Sequence, residues 1–155
     1  FAASGVFTHA RASNAAASMT IFKNGTSNVG EIRTSTTATQ YITSSDYRLK
    51  ENVTSITDGI VRLKQLKPYR FNFIADGDTT LDGFLAHETQ IVVPEAVSGT
   101  KDEKESDGVT VKPQGIDQSK LVPLLTAALQ ESVTEIESLK AEIESLKTRV
   151  TTLEG

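Results

Sequence analysis

Ser45-Asp46-Tyr47-Arg48-Leu49-Lys50-Glu51-Asn52 divides the chain into two textures. Upstream the sequence is poor in charge and rich in Ser and Thr; downstream it becomes patterned and charged. A Ser followed five residues later by a Lys is the composition of a serine nucleophile with a lysine base. The pair is common by chance, so spacing alone does not distinguish catalysis from coincidence. Geometry narrows the options. On a helix five residues turn by about 500°, leaving the side chains about 140° apart, and on a strand they lie on opposite faces. Ser45 and Lys50 therefore meet only if the chain bends between them, with Ser45 leading into a short turn that carries Lys50, or if a neighbouring chain supplies Lys50. Asp46 and Glu51 would hold a nearby amine protonated, so both are expected to point elsewhere, toward Arg48.

Residues 1–44 before this stretch read as an extended, repetitive β region. Met19-Thr20-Ile21-Phe22 runs into Lys23-Asn24-Gly25-Thr26, and Asn-Gly is a strong two-residue hairpin signal. Val29, Ile32, Tyr41 and Ile42 alternate with Thr-rich stretches whose β-branching favours strands. The region holds too few large apolar residues for a core of its own. Its strands are expected to find partners in other chains, as the end of a fibrous stalk, and the Thr34–Thr39 run suits a solvated fibre strand.

After Lys50, Asp58 is placed to cap a helix carrying Ile60, Leu63 and Leu66, stopped by Pro68. Tyr69, Phe71 and Phe73 then alternate on one face of a strand. They are expected to pack in a core and not to stack nucleic-acid bases, since no basic surround accompanies them. Asp76-Gly77-Asp78 reads as a turn, and Leu81 to Ala86 as a short strand feeding a helical turn over His87–Val92. His87 and Glu88 are a second titratable pair, either a solvated helix face or a group that orients Lys50 or lines the scissile site. Residues 98–108 are polar and of mixed charge, a loop or hairpin tip between Ala96-Val97 and Val109-Thr110-Val111.

The C-terminal segment repeats in heptads. Leu129, Ile136, Ile143 and Val150 share position a; Leu125, Ser132, Leu139, Leu146 and Leu153 share position d; Lys140, Glu142, Lys147 and Arg149 flank them. This predicts a parallel coiled coil and hence self-association. Ile at a with Leu at d does not by itself choose a trimer. A lone amphipathic helix folded on its own domain suits Leu121, Leu124, Leu125 and Ala128 but not the later heptads.

Totals exclude several classes. The 155 residues are 37% hydrophobic and 23% charged, with net charge -4, so neither nucleic acid nor an anionic membrane is invited. With no Cys and only His9 and His87 there is no ligand set for a thiolate or imidazole metal centre, and no cofactor is expected. No apolar run reaches the roughly 20 residues that span a bilayer, and no basic segment with an apolar core marks a signal peptide. A chain beginning at Phe1 is expected to have been cut from a longer protein.

The order of features carries a resemblance. Ser45 to Val53 is followed by Leu66-Lys67-Pro68-Tyr69-Arg70-Phe71, Gly83-Phe84-Leu85-Ala86-His87-Glu88, Val93-Pro94-Glu95-Ala96-Val97, Leu121-Val122-Pro123-Leu124-Leu125 and Ala128-Leu129-Gln130-Glu131. Over about residues 44–135 this resembles the C-terminal intramolecular chaperone domain of phage tail spikes, tail fibres and endosialidases, the S74 self-cleaving peptidases. One departure is His87, where the family usually carries Gln.

The resemblance implies an α+β chain of three parts: the end of a β stalk (1–44), a small mixed α/β chaperone and autoprotease core with a projecting hairpin (45–120), and a trimerisation helix (121–155). It implies a homotrimer that registers the upstream fibre β-strands of its own precursor. Cleavage at Ser44–Ser45, with Ser45 as nucleophile and Lys50 as base, would then release the helper. Asp46, Arg48, Asn52, His87 and Glu88 are candidate supporting residues. The precursor would assemble in the host cytoplasm, the stalk staying in the virion tail. A non-cleaving structural fibre terminus is the competing reading. A hydrolase acting on other molecules lacks its motifs, because Arg48 stands where a Ser-x-x-Lys enzyme needs Lys and there is no Gly-x-Ser-x-Gly elbow.

Overall fold

The computed structural model describes residues 15–155, so the stretch of the expected stalk before Ala15, with His9 and Arg11, lies outside the described residues. The chain divides into two compact units, Phe1–Val53 and Thr54–Gly155.

The first unit is an antiparallel meander of β1 (Ala17–Asn24), β2 (Ser27–Thr34) and β3 (Thr39–Thr43). Its hairpin turns on Gly25-Thr26, with Asn24 paired to Ser27. Gly25 has φ +60 and Thr26 does not share a positive φ, so glycine at the first loop position supplies the left-handed residue that two-residue hairpins need. Two expectations are corrected here. The strands from Ala17 to Thr43 pair within one chain, because two short turns fold them back on themselves. The Thr34–Thr39 run is no continuous strand. Ser35 N–H bonds the Ala38 carbonyl at 2.8 Å while its hydroxyl oxygen accepts from Ala38 N–H at 3.2 Å, a local turn that competes with strand extension. No described residue before Gly59 is buried, and Ile21, Phe22, Val29 and Tyr41 stay exposed on this sheet.

The second unit mixes short elements with one long helix. Helix α1 (Gly59–Leu63) leads to a hairpin of β4 (Tyr69–Phe73) and β5 (Asp76–Gly83), then α2 (Ala86–Val92) and a single turn at Pro94–Ala96. A two-stranded ribbon, β6 (Val97–Ser98) with β7 (Gly115–Ile116), carries the polar arm, and α3 (Val122–Glu154) ends the chain as a helix of 33 residues. With separate antiparallel ribbons and helices, the architecture is α+β. The core gathers Val92, Val93, Ala96, Leu121 and Leu124, with Leu66, Phe84 and Val97 against it.

Local readings shift in this unit. Asp58 does sit at the start of α1 but makes no side-chain cap. The Glu131 carboxylate of α3 takes the bonds instead, from Gly59 N–H at 2.7 Å and Ile60 N–H at 2.8 Å. A Cβ on Gly59 would lie 2.5 Å from the Ala128 nitrogen, so only glycine allows this approach. The turn expected at Asp76-Gly77-Asp78 falls at Ile74-Ala75, and Asp76–Asp78 opens β5, paired through Phe73 and Asp76. Asn72 secures this shorter turn by donating to the Gly77 carbonyl at 3.0 Å. The aromatic face is not a core within one chain: Phe71 and Phe73 meet edge to face at 5.3 Å, but Phe73 remains 60% exposed. The arm is a hairpin of different register. Val97 pairs with Ile116 and not with Val109–Val111, and Lys104 bridges Val111 further out. Lys112 Nζ to Glu103 at 2.7 Å, and Asp107 accepting from the Val109 and Thr110 N–H groups, hold its outer half.

Candidate active site around Ser45 and Lys50

Ser44 leaves the end of β3 still tied to β2. Its N–H donates to the Val29 carbonyl at 3.2 Å and its hydroxyl to the Asn28 carbonyl at 3.3 Å. The chain then enters a single 3₁₀ turn over Tyr47–Leu49, begun by Asp46, whose carboxylate accepts from Arg48 N–H at 2.9 Å. Asp46 is extended (φ -65, ψ 133), as an N-cap residue should be. Lys50 closes the turn, extended again, with its N–H on the Tyr47 carbonyl at 3.1 Å.

The bend brings the two side chains together. Lys50 Nζ donates to Ser45 Oγ at 2.7 Å, within one chain. This is the geometry that neither regular element gives, supplied by one tight turn between two extended residues. That distance is within the reach over which a hydroxyl and an unprotonated amine can exchange a proton. Both residues are exposed, as are Tyr47 and Leu49 at 82% and 76%.

Asp46 faces Arg48. The guanidinium donates to its carboxylate twice, Nε at 3.0 Å and Nη2 at 2.6 Å. These bonds, and then the Arg48 N–H, hold the Asp46 carboxyl below its usual range; the same pairing raises Arg48. Asn52 ends the segment at φ +53, a left-handed conformation that Asn tolerates better than most residues. Beside Ser44 lies a polar cleft of about 200 Å³, lined by Asn28, Gly30, Glu31, Arg33 and Ile42. Glu31 pairs with Arg33 at 2.5 Å and also accepts from Ser18.

His87 and Glu88 stand on α2, in the second unit. Glu88 accepts from Tyr69 Oη at 2.9 Å and Lys67 Nζ at 3.2 Å, and these contacts, Tyr69 foremost, lower its pKa. His87 lines a groove with Gln65, Lys67 and Ile91. The tether of Ser44 to β2 and the Lys67–Tyr69–Glu88 cluster were not read from sequence. The first depends on the register of a strand sixteen residues upstream, and the second joins residues about twenty apart. Among the described residues no group of three or more acidic or His side chains is placed to hold a metal, and no helix is long and apolar enough to cross a membrane.

Comparison with known families adds one finding. Residues 45–98 match the peptidase S74 family, chaperone of endosialidase. The matched segment starts at Ser45 and ends with β6, about a third of the chain and less than the 44–135 span over which the residues resemble that family. No curated protein matches this chain. The matched family is one of chaperones that carries a peptidase name, which supports a chaperone role in general terms.

Proposed function

We propose that this chain is the intramolecular chaperone of a viral tail spike or fibre, which trimerises, registers the upstream β stalk, and then cuts itself free once at Ser44–Ser45. The observation that carries the cleavage is the 2.7 Å contact between Lys50 Nζ and Ser45 Oγ, at the residue where the family match begins. Ser45 Oγ attacks the Ser44 carbonyl carbon while its proton passes to Lys50 Nζ. As the C–N bond breaks, that proton moves to the Ser45 nitrogen, leaving an ester between Ser44 and the Ser45 side chain. Water opens the ester, giving a Ser44 carboxylate and restoring the Ser45 hydroxyl. The two hydrogen bonds that Ser44 donates to β2 would keep the scissile carbonyl in place during both steps.

Assembly would time the reaction. An amine in water is protonated near neutrality and is no base; burial among neighbouring chains disfavours the charged form. The exposed Tyr47 and Leu49 of the turn between Ser45 and Lys50, and a β sheet with no buried residue, are the surfaces that two further copies would cover. The half-exposed heptad stripe of α3 would bring them together, raising the effective strand concentration to about millimolar. The precursor would assemble in the host cytoplasm, the stalk remaining in the virion.

Mass spectrometry of the purified chain tests this. Wild type should yield a fragment beginning at Ser45, Ser45→Ala and Lys50→Met should stay intact, and hydroxylamine should trap the ester at Ser44. An intact wild-type trimer would overturn the cleavage and leave a structural fibre terminus.

A further inference from the structure

The Lys50 amine stands in a loop that also carries two acids, and a carboxylate near an amine favours its protonated form. The charges of the described part of this unit are few: Lys23 on β1, Glu31 and Arg33 on β2, then Asp46, Arg48, Lys50 and Glu51. Glu31 and Arg33 neutralise one another at 2.5 Å. Asp46, only four residues before Lys50, is the acid that would bind it most readily, yet its two oxygens are taken up by Arg48 Nε, Nη2 and N–H at 2.6–3.0 Å. A planar guanidinium occupies both carboxylate oxygens together, which a point-charged lysine would not do as well.

We propose that Arg48 is a positioning residue: it sequesters the Asp46 carboxylate within the 3₁₀ turn, and thereby leaves Lys50 directed at Ser45 and able to accept a proton. This rests on the reading of Lys50 as the base. The low pKa of Asp46, caused first by its Arg48 bonds, shows where that negative charge is spent. Glu51, the residue after Lys50, forms no ion pair among the described residues and is the remaining local acid. Removing Arg48 has two effects of the same sign. It deletes a positive charge near Lys50 and frees a negative one to bind it, and both raise the amine's affinity for its proton.

The direct readout is the titration of Lys50, followed in the full chain by competitive acetylation and mass spectrometry across pH, in a Ser45→Ala background that cannot cut. Arg48→Leu should move the Lys50 midpoint up by about one pH unit, a loss of about tenfold in unprotonated amine at neutral pH. The double variant Asp46→Asn/Arg48→Leu should recover most of it, and Asp46→Asn alone, which keeps the cap and should fold even if Arg48→Leu does not, should move the midpoint down. An unmoved midpoint in Arg48→Leu, or a double variant no different from it, overturns the proposal. With Ser45 present, Arg48→Leu should slow the cut at neutral pH and regain it at alkaline pH, while the double variant should cut at close to the wild-type rate. If wild type stays intact while the midpoints shift as stated, the cleavage reading fails and the role of Arg48 toward Lys50 stands.

Discussion

Gly59 shows how much a single position can carry. A methyl group there would sit 2.5 Å from the Ala128 nitrogen and 2.8 Å from the Ala127 carbonyl carbon, backbone atoms of a helix that cannot step aside. Gly59→Ala is expected to cost about 3 kcal/mol, seen as a lower urea midpoint at fixed chain concentration; an unchanged midpoint would contradict the contact. Nothing around Gly59 in the sequence announces this, because its partners lie about seventy residues on. Ser45 and Lys50 are the opposite case. Their angular separation on either regular element required a bend or a neighbouring chain's lysine, and a bend of three residues within one chain is what joins them. Spacing made the need for a bend legible but left open a neighbouring chain's Lys50; of the two acids expected to turn toward Arg48, Asp46 does so and Glu51 forms no ion pair among the described residues. The Ser44 tether was not, since it needs the register of β2.

At the scale of elements, α2 is clamped to β4 by Glu88, which accepts from Tyr69 and Lys67. Each of these groups is shifted in the direction that favours the pair. Glu88 is lowered from 4.5, by the Tyr69 bond first, so its contribution is present above the ordinary carboxylate range and is lost as pH falls through its folded value. Tyr69 is raised from 10.0 by the same bond, so its contribution is present below that value and lost as pH rises through the folded one. Glu88→Gln should therefore flatten the fall in stability between about pH 5 and pH 3 relative to wild type, measured by thermal melts; parallel profiles would refute the clamp. Element types were readable along this stretch and boundaries less so. The β4–β5 turn slid two residues because Asn72 could reach Gly77. The arm changed partner because the base pairing of Val97 with Ile116 sits beside the core, while Val109 and Val111 remain exposed.

For the molecule, the telling surface is α3. On its first turns Leu124, Ala127 and Ala128 are buried and Glu131 holds α1, while Leu125 and Leu129 remain open. Beyond them Ile136, Leu139, Ile143 and Leu146 are half exposed in one line, an apolar seam that heptad periodicity made readable and that a single chain does not close. Leu139→Asp is expected to shift the species in sedimentation equilibrium toward monomer, and on the cleavage reading to slow the cut at least tenfold. A variant that stays associated would remove α3 as the site of assembly. Within the second unit, the first turns of this helix are also the only ones braced by α1, from Leu124 to Glu131. From Glu131 to its end α3 runs on for about 35 Å at 1.5 Å per residue. It is a lever. A tilt of about 10° where Glu131 grips Gly59 would swing its tip by about 6 Å, against the 8–10 Å that separates packed helices. The joint sets Gly59, without a side chain, against a carboxylate that accepts two short bonds from the Gly59 and Ile60 N–H groups, and how firmly it holds governs how accurately the far end is aimed.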